Sequence, residues 1–377
     1  MTRIGGRSVK LLFFVTEDWY FVSHRLPLAL AAKDSGYEVS IVTRVRGHGD
    51  VIRGAGLRLI PFENARNGTN LISELWTVIR LIALYRRERP DIVHHVAVKP
   101  VLYGSVAARL AGIQHCINAL AGLGWLFSSG TGLAYRLQPL VRWALSRLLR
   151  TGIALVQNPD DAAFLRSLGV ASSQIRRIAG SGVDLDQFMP CPEITGVPVV
   201  VLPARLLWDK GVGEFVAAAR LLKAKGVRAR FLLAGNPDAA NPSSVSEERI
   251  AEWVKEGVVE HLGWVKDMPA LFSKSHIVCL PSFYGEGIPK SLIEAAAAGR
   301  PIVTCDTPGC REIVRHRDNG LLVPPRSIEP LMQALAELIN DSWLRRQMGE
   351  RGRIRAEREF GLQAVVDQTL AIYAEQL

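Results

Sequence analysis

Cysteine is scarce in this chain and follows no pattern. Cys116, Cys191, Cys279, Cys305 and Cys310 form no C-x-x-C pair and no His-bearing zinc spacing. An odd, scattered set of this kind argues against a disulfide framework or a zinc module and for reduced, buried thiols. Long apolar runs are also missing. No window of about 18 residues is free of charge, so no bilayer span is expected. The run Val101 to Phe127 comes nearest, and Arg109 and two glycine-rich breaks interrupt it. The start, Met1 to Lys10, is basic, but a short apolar stretch meets Glu17 and Asp18, which reads as a first β-strand and not a signal peptide. No long segment is compositionally biased, which excludes a disordered or fibrous chain.

What is present describes an ordinary globular protein of two domains. The 377 residues exceed what one core usually supports, and 48% of them are hydrophobic against 22% charged. The net charge of +10 is one-sided. Residues 1–190 carry 23 Lys and Arg against 13 Asp and Glu, whereas residues 191–377 carry 23 of each. A basic first half points to an anionic partner for that half: nucleic acid, a membrane or a phosphorylated substrate.

Strand and helix patterns alternate along the chain, which implies parallel α/β architecture. In the first half, strands are expected at Lys10–Thr16, Tyr37–Thr43, Leu57–Pro61, Asp91–His95, Cys116–Leu120 and Ile153–Gln157. Helices are expected at Ser23–Ser35, which Gly36 closes, and at Leu71–Arg89. Pro190, Pro192 and Pro198 fall in a stretch without periodicity and mark a linker at 188–198 between domains 1–187 and 199–358. The second series has strands at Pro198–Ala204, Arg230–Ala234, His261–Gly263, Ile277–Pro281 and Pro301–Thr304. Its helices fall at Gly213–Lys225 and Pro289–Ala298, and a helical tail runs from Glu329 to Leu377. Two doubly wound Rossmann-like domains of this kind would face a cleft at their strand ends.

The sharpest chemistry lies after Pro281. Gly285-Glu286-Gly287-Ile288 is a glycine-flanked loop after a buried strand, Pro289 opens a helix, and Gly299 closes it. The helix N-terminus then aims its free N–H groups into the loop, an arrangement suited to phosphate. Glu294 lies in an apolar, alanine-rich helix and needs a partner, for which sugar or ribose hydroxyls are suitable. Arg205 and Lys210 bridge the first strand and helix of the second half. Their offset allows a forked donor and a point charge to converge on one anion. Gly263-Trp264-Val265 follows a strand end, where a flat nucleobase can pack. Each of these features alone also fits an ordinary surface loop or strand terminus.

Arg205-x4-Lys210, Gly263-Trp264-Val265 and Glu286-x7-Glu294 together resemble the retaining family 4 glycosyltransferases of GT-B fold. Ser181-Gly182-Val183-Asp184 and Thr307-Pro308-Gly309-Cys310-Arg311-Glu312 extend the resemblance over essentially the whole chain. Ser23-His24-Arg25-Leu26-Pro27 and His94-His95-Val96-Ala97-Val98-Lys99-Pro100 are similar to the branch that extends polyprenyl-diphosphate-linked oligosaccharides for O-antigen, capsule or protein glycosylation.

The resemblance implies a sugar transfer from a nucleotide diphosphate donor, UDP by family weight, to a lipid-linked glycan acceptor. Arg205 and Lys210 would bind the diphosphate, Glu286 the donor sugar and Glu294 the ribose, with amides at Gly287 and Ile288 assisting. His24, Arg25 and Lys99 would meet the acceptor or its phosphate, and residues 359–377 would pack back on the first domain. No metal and no cofactor is expected, because two cations do a metal's work, and Asp184-Leu185-Asp186 reads as structural. The chain departs from the family at Thr16-Glu17-Asp18-Trp19-Tyr20, where many members carry a glycine pair.

The basic amphipathic stretches 131–150 and Leu71–Arg89 read either as covering helices or as a surface for an anionic membrane. The second reading implies a cytoplasmic enzyme peripheral to the inner face of the plasma membrane. A nucleotide-sugar epimerase of the same fold and a silent donor-binding subunit are the alternatives. A nucleic-acid binder would show interleaved basic and aromatic motifs, and the chain has none.

Overall fold

A computed structural model of the chain describes residues 3–4, 7–63, 71–123 and 136–377. Residues 131–135 of the basic stretch lie outside them. The chain divides into two compact units, Met1–Ser181 with Gln363–Leu377, and Gly182–Leu362.

The first unit is a seven-stranded parallel sheet. Its strands are β1 (Lys10–Glu17), β2 (Glu38–Arg44), β3 (Arg58–Pro61), β4 (Ile92–Val96), β5 (His115–Ala119), β6 (Ile153–Val156) and β7 (Ile175–Arg177), in the order β3-β2-β1-β4-β5-β6-β7. Its helices are α1 (Asp18–His24), α2 (Leu26–Asp34), α3 (Gly49–Gly54), α4 (Leu71–Glu88), α5 (Val98–Ala111), α6 (Gln138–Leu148) and α7 (Pro159–Ser167). Leu12, Phe14, Val42 and Val93 pack on one face against Leu81, Leu84, Ala107 and Ala108 of α4 and α5. The strands are buried on both faces, which is why they read as continuous apolar runs and not as alternation.

The second unit repeats the plan with six parallel strands. These are β8 (Val199–Pro203), β9 (Arg230–Ala234), β10 (Glu260–Gly263), β11 (Ile277–Leu280), β12 (Ile302–Cys305) and β13 (Gly320–Val323), in the order β10-β9-β8-β11-β12-β13. The helices are α8 (Val212–Ala224), α9 (Glu247–Lys255), α10 (Met268–Ser273), α11 (Lys290–Ala297), α12 (Cys310–Ile313), α13 (Ile328–Asn340) and α14 (Ser342–Glu359). Its core joins Val200, Leu202 and Phe231 to Phe215, Leu222, Leu335 and Leu338. The last helix, α15 (Leu362–Glu375), belongs almost wholly to the first unit, where its Tyr373 hydroxyl meets His94 Nδ1 of β4 at 2.5 Å. Strand order reverses between β1 and β4 in one sheet and between β8 and β11 in the other, the switch points where such sheets bind ligands.

Three sequence expectations are corrected. The single helix expected at Ser23–Ser35 is two helices broken at Arg25, because Pro27 can only open a helix, and α1 begins where a loop was expected, at Asp18. That acid is fully buried and accepts backbone N–H groups of Trp19, Arg46, Gly47 and His48, so it serves as an anchor. The first boundary falls at Ser181 and not at 187, because Val183 exchanges backbone hydrogen bonds with Phe360 and Leu362. The expected linker 188–198 is packed into the second unit. Arg345 grips Glu193 with two 2.9 Å bonds, and the buried Arg300 donates to the Cys191 carbonyl. Strands β7 and β13, too short to show a period, were not expected at all.

Candidate donor site and family

The switch point of the second sheet gathers most of the motif residues. The loop leaving β8 carries Arg205 and Lys210, and the loop leaving β11 carries Glu286. Asp209 stitches the two loops together, its carbonyl accepting from the N–H groups of Phe283 and Tyr284. Gly211 has a left-handed backbone (φ 75°), and a Cβ there would strike the Pro281 carbonyl, so glycine sets how closely the two strand ends approach.

Within this frame the Lys210 ammonium pairs with Glu286, whose other carboxylate oxygen accepts from Ser282 Oγ at 2.7 Å. Glu286 is thereby aimed by two groups, and its neighbours Gly287, Ile288 and Pro289 are buried. Pro289 caps α11, and Glu294 lies in the second turn of that helix, 7% exposed. Burial holds the Glu294 carboxyl above the ordinary carboxylate range, and Lys290 at 3.4 Å opposes the shift. Gly309 (φ 84°) closes the far side, and a Cβ there would collide with the Gly287 carbonyl. Behind Glu286, burial chiefly, with the Glu286 charge, pushes the Cys310 thiol up to about 11, so it stays protonated.

Arg205 lies on the same loop, but its guanidinium is held by Asp238 at 2.6 Å. Each cation thus has a carboxylate beside it, Asp238 for Arg205 and Glu286 for Lys210. Gly263 ends β10 with φ 65°, and Trp264 beyond it is 73% exposed. Sequence reasoning missed Asp238 and Ser282. Asp238 lies four residues past the end of β9 in no recognisable motif, and only its pairing with Arg205 marks it.

The three acceptor-side residues are not brought together in the same way. His24 stacks on Tyr20, ring centroids 4.2 Å apart, and Lys99 pairs with Glu74 at 2.9 Å. Arg25 is buried. Ala97, between β4 and α5, holds φ 80° without being glycine, an outlier of the kind that clusters at functional sites.

Solved structures share this plan. A sucrose-phosphate synthase from Thermosynechococcus elongatus superposes with a TM-score of 0.81 at 20% identity, over 98% of this chain and 99% of its own. Anabaena HepE, solved with UDP-glucose, gives 0.79 at 16% identity over 97% and 99%. The shared plan, two parallel-sheet units each with a strand-order switch point, is the GT-B fold.

Family models agree over both units: one described as glycosyl transferase 4-like matches residues 10–151, and one described as glycosyl transferases group 1 matches residues 197–341. A Campylobacter jejuni N,N'-diacetylbacillosaminyl-diphospho-undecaprenol alpha-1,3-N-acetylgalactosaminyltransferase is 30% identical over 339 residues, 85% of this chain and 87% of that protein. An Escherichia coli UDP-Gal:alpha-D-GlcNAc-diphosphoundecaprenol alpha-1,3-galactosyltransferase is 25% identical over 82% and 81%. The chain belongs to the family 4 glycosyltransferases.

Proposed function

We propose that this enzyme moves a hexosyl or N-acetylhexosaminyl group from a UDP-linked donor, with retention of configuration, to a polyprenyl-diphosphate-linked glycan in cell-surface glycan assembly. The observation that carries the reading is the pair of carboxylates on either side of one helix start. Glu286 is aimed by Lys210 and Ser282, and Glu294 is buried with Lys290 as its cation. Acceptor-only groups fixed at a sheet switch point suit the hydroxyls of a sugar and a ribose. The named activities of the Campylobacter and Escherichia relatives support the lipid-linked acceptor and the UDP donor.

In this reading the donor diphosphate lies at the start of α11, against the amides of Gly287 and Ile288, and draws Lys210 and Arg205 from their carboxylates. The bond from the anomeric carbon to the diphosphate breaks while the acceptor hydroxyl attacks from the same face. Its proton passes to the departing diphosphate oxygen. The cations and the helix dipole stabilise the charge that builds on that oxygen, so the chemistry runs without a metal. A carboxylate nucleophile is not required.

The acceptor's lipid fits a membrane-facing first unit. Among the described residues no helix is long and apolar enough to cross a membrane. Helix α4, however, exposes Ile72, Leu75, Trp76 and Ile79, and α6 exposes Leu140 and Trp143 beside Arg136 and Arg147. Apolar and cationic groups mixed on surface helices are the pattern of peripheral attachment to anionic lipid.

The test is a panel of nucleotide sugars incubated with a polyprenyl-diphosphate-linked sugar, with and without EDTA. Transfer with a UDP-sugar that survives EDTA is expected. Transfer that stops in EDTA would remove the metal-free clamp, and no transfer to any lipid-linked sugar would remove the acceptor assignment.

A further inference from the structure

Helix α1 starts directly at the carboxyl end of β1, where the strand order of the first sheet reverses. Its buried positions are Asp18 and Phe21, three apart and therefore on one face, and the Phe21 ring meets Phe13 of β1 edge-on with centroids 6.0 Å apart. Trp19 and Tyr20 fall off that face and are only half-buried. Their rings stand nearly perpendicular, 79° apart with centroids at 5.8 Å. Tyr20 is in turn stacked flat on His24, at 4.2 Å and 7°. The helix thus holds a corner of aromatic rings at the edge of a parallel sheet that receives ligands.

The corner is firmly mounted. Asp18 accepts the N–H of Trp19 at 2.8 Å and reaches across to the N–H groups of Arg46, Gly47 and His48 in the loop leaving β2. Burial opposes the charge on this carboxyl, yet the four N–H groups outweigh it and hold the acid below the ordinary carboxylate range. One residue earlier the buried Glu17 is tied to Arg44 at 2.7 Å. Two buried acids therefore fix the turn that carries the rings. This is the stretch, Thr16 to Tyr20, in which the chain departs from the glycine pair common in its family. Two small residues there would supply neither the mount nor the rings.

We infer that Trp19 and Tyr20 form an aromatic subsite for a pyranose ring of the acceptor glycan, with the C–H bonds of one sugar face packed on the Trp19 ring. The choice of occupant rests on the glycan acceptor proposed above. The C–H groups of a pyranose carry the partial positive charge that the negative face of an aromatic ring attracts, while its hydroxyls project at the rim. Polar groups for that rim are at hand in the Tyr20 hydroxyl and in His48, whose Nδ1 lies 3.9 Å from the Asp18 carboxylate. Tyr and Trp give large contact area at a small cost in side-chain entropy, and here the backbone anchor removes part of the rest.

The experiment is saturation-transfer difference NMR on the full chain saturated with UDP, with the methyl glycosides of glucose, galactose, N-acetylglucosamine and N-acetylgalactosamine as probes. For one or more of them the signal should be concentrated on the C–H protons of one ring face. It should persist in Trp19→Phe and fall about five-fold in Trp19→Leu and Trp19→Ala. Leucine keeps apolar bulk without a ring face, so a side chain that merely packs would not separate Phe from Leu. An equal signal in Trp19→Leu, no signal from any glycoside in the wild type, or loss of the signal when UDP is added overturns the subsite. Should Trp19→Ala fail to fold, the Phe and Leu variants decide.

In the transfer assay, Trp19→Leu should raise KM for the polyprenyl-diphosphate-linked sugar about ten-fold, the effect of one lost aromatic contact, with KM for the donor unchanged, and Trp19→Phe should restore most of it. A rise in donor KM instead would overturn the subsite. So would sedimentation with anionic vesicles that depends on Trp19 while the glycoside signal does not, since the ring would then be a lipid contact. Glycoside binding that depends on Trp19, with no transfer to lipid-linked sugars by the wild type, would retain the subsite and remove only the lipid-linked acceptor.

Discussion

At the scale of single residues, the two glutamates differ more than their spacing suggests. Glu286 is partly exposed and ion-paired, whereas Glu294 is buried with a raised proton affinity. Glu294→Gln should weaken UDP binding about ten- to hundred-fold by calorimetry, because a charge-assisted bond to a hydroxyl becomes a neutral one. Glu286→Ala should depress turnover more than it raises donor KM. Wild-type kinetics in both variants would remove the assignment.

Asp161 offers a separate pH test. Burial lifts its carboxyl to about 6 from 3.8, even though Asn158 and the Leu123 amide donate to it. A carboxyl with a raised folded value contributes its stability below the unfolded value. It loses that contribution as pH rises through 6, on the order of 2–3 kcal/mol in all. Asp161→Asn should therefore flatten the fall in Tm between about pH 4 and 6, read by calorimetry across that range. An unchanged slope would show that the carboxyl is not the source.

At the scale of elements, the donor loops depend on glycines that allow backbone to meet backbone. Gly309→Ala would place a methyl against the Gly287 carbonyl from a left-handed position. It should cost about 1–3 kcal/mol of stability and reduce turnover by shifting Glu286, with Gly226→Ala as a control where the Cβ meets open space and only the left-handed strain (φ 75°) remains.

The basic helices can be tested in the same way. Leu140→Glu and Trp143→Ala on α6 should each lower sedimentation with anionic vesicles about ten-fold without changing Tm, since both side chains are exposed. Loss of Tm instead would mean that α6 is a covering helix whose apolar face is packed.

These elements show how far the sequence could be read. The strands β1, β2, β4, β8, β9 and β11 were legible because burial on both faces makes an unbroken apolar run. Three- and four-residue strands such as β7 and β13 carry too few positions to show any pattern. The donor motif was legible because chemistry concentrated it within two loops. Asp238 was not, since an acid after a strand becomes informative only when its cation is known. Arg25 was noted as one of three acceptor residues. Its burial separates it from Lys99 and His24, and no sequence pattern encodes that.

At the scale of the whole molecule, charge and ligand binding should divide between the two units. The surplus of +10 lies within the first 190 residues. Vesicle binding should therefore weaken steeply as salt rises, because attraction between exposed charges and anionic lipid is screened within about a Debye length. UDP should slow hydrogen exchange within Gly182–Leu362, around β8, β11 and α11, since a ligand stabilises the unit that binds it. Protection confined to the first unit would contradict a donor site at the second switch point.

The sequence by itself determined the two α/β series, the basic first half and the glutamate–glycine loop before a capped helix, because each is written in neighbouring residues and short-range periodicity. Tertiary structure alone decided which cation meets which carboxylate, that the supposed linker is anchored by Arg345 and Arg300, that Asp18 holds a loop, and that Arg25 lies buried. Those outcomes depend on groups brought together from distant positions, and their energies come from desolvation and pairing, which exist only once the chain has folded.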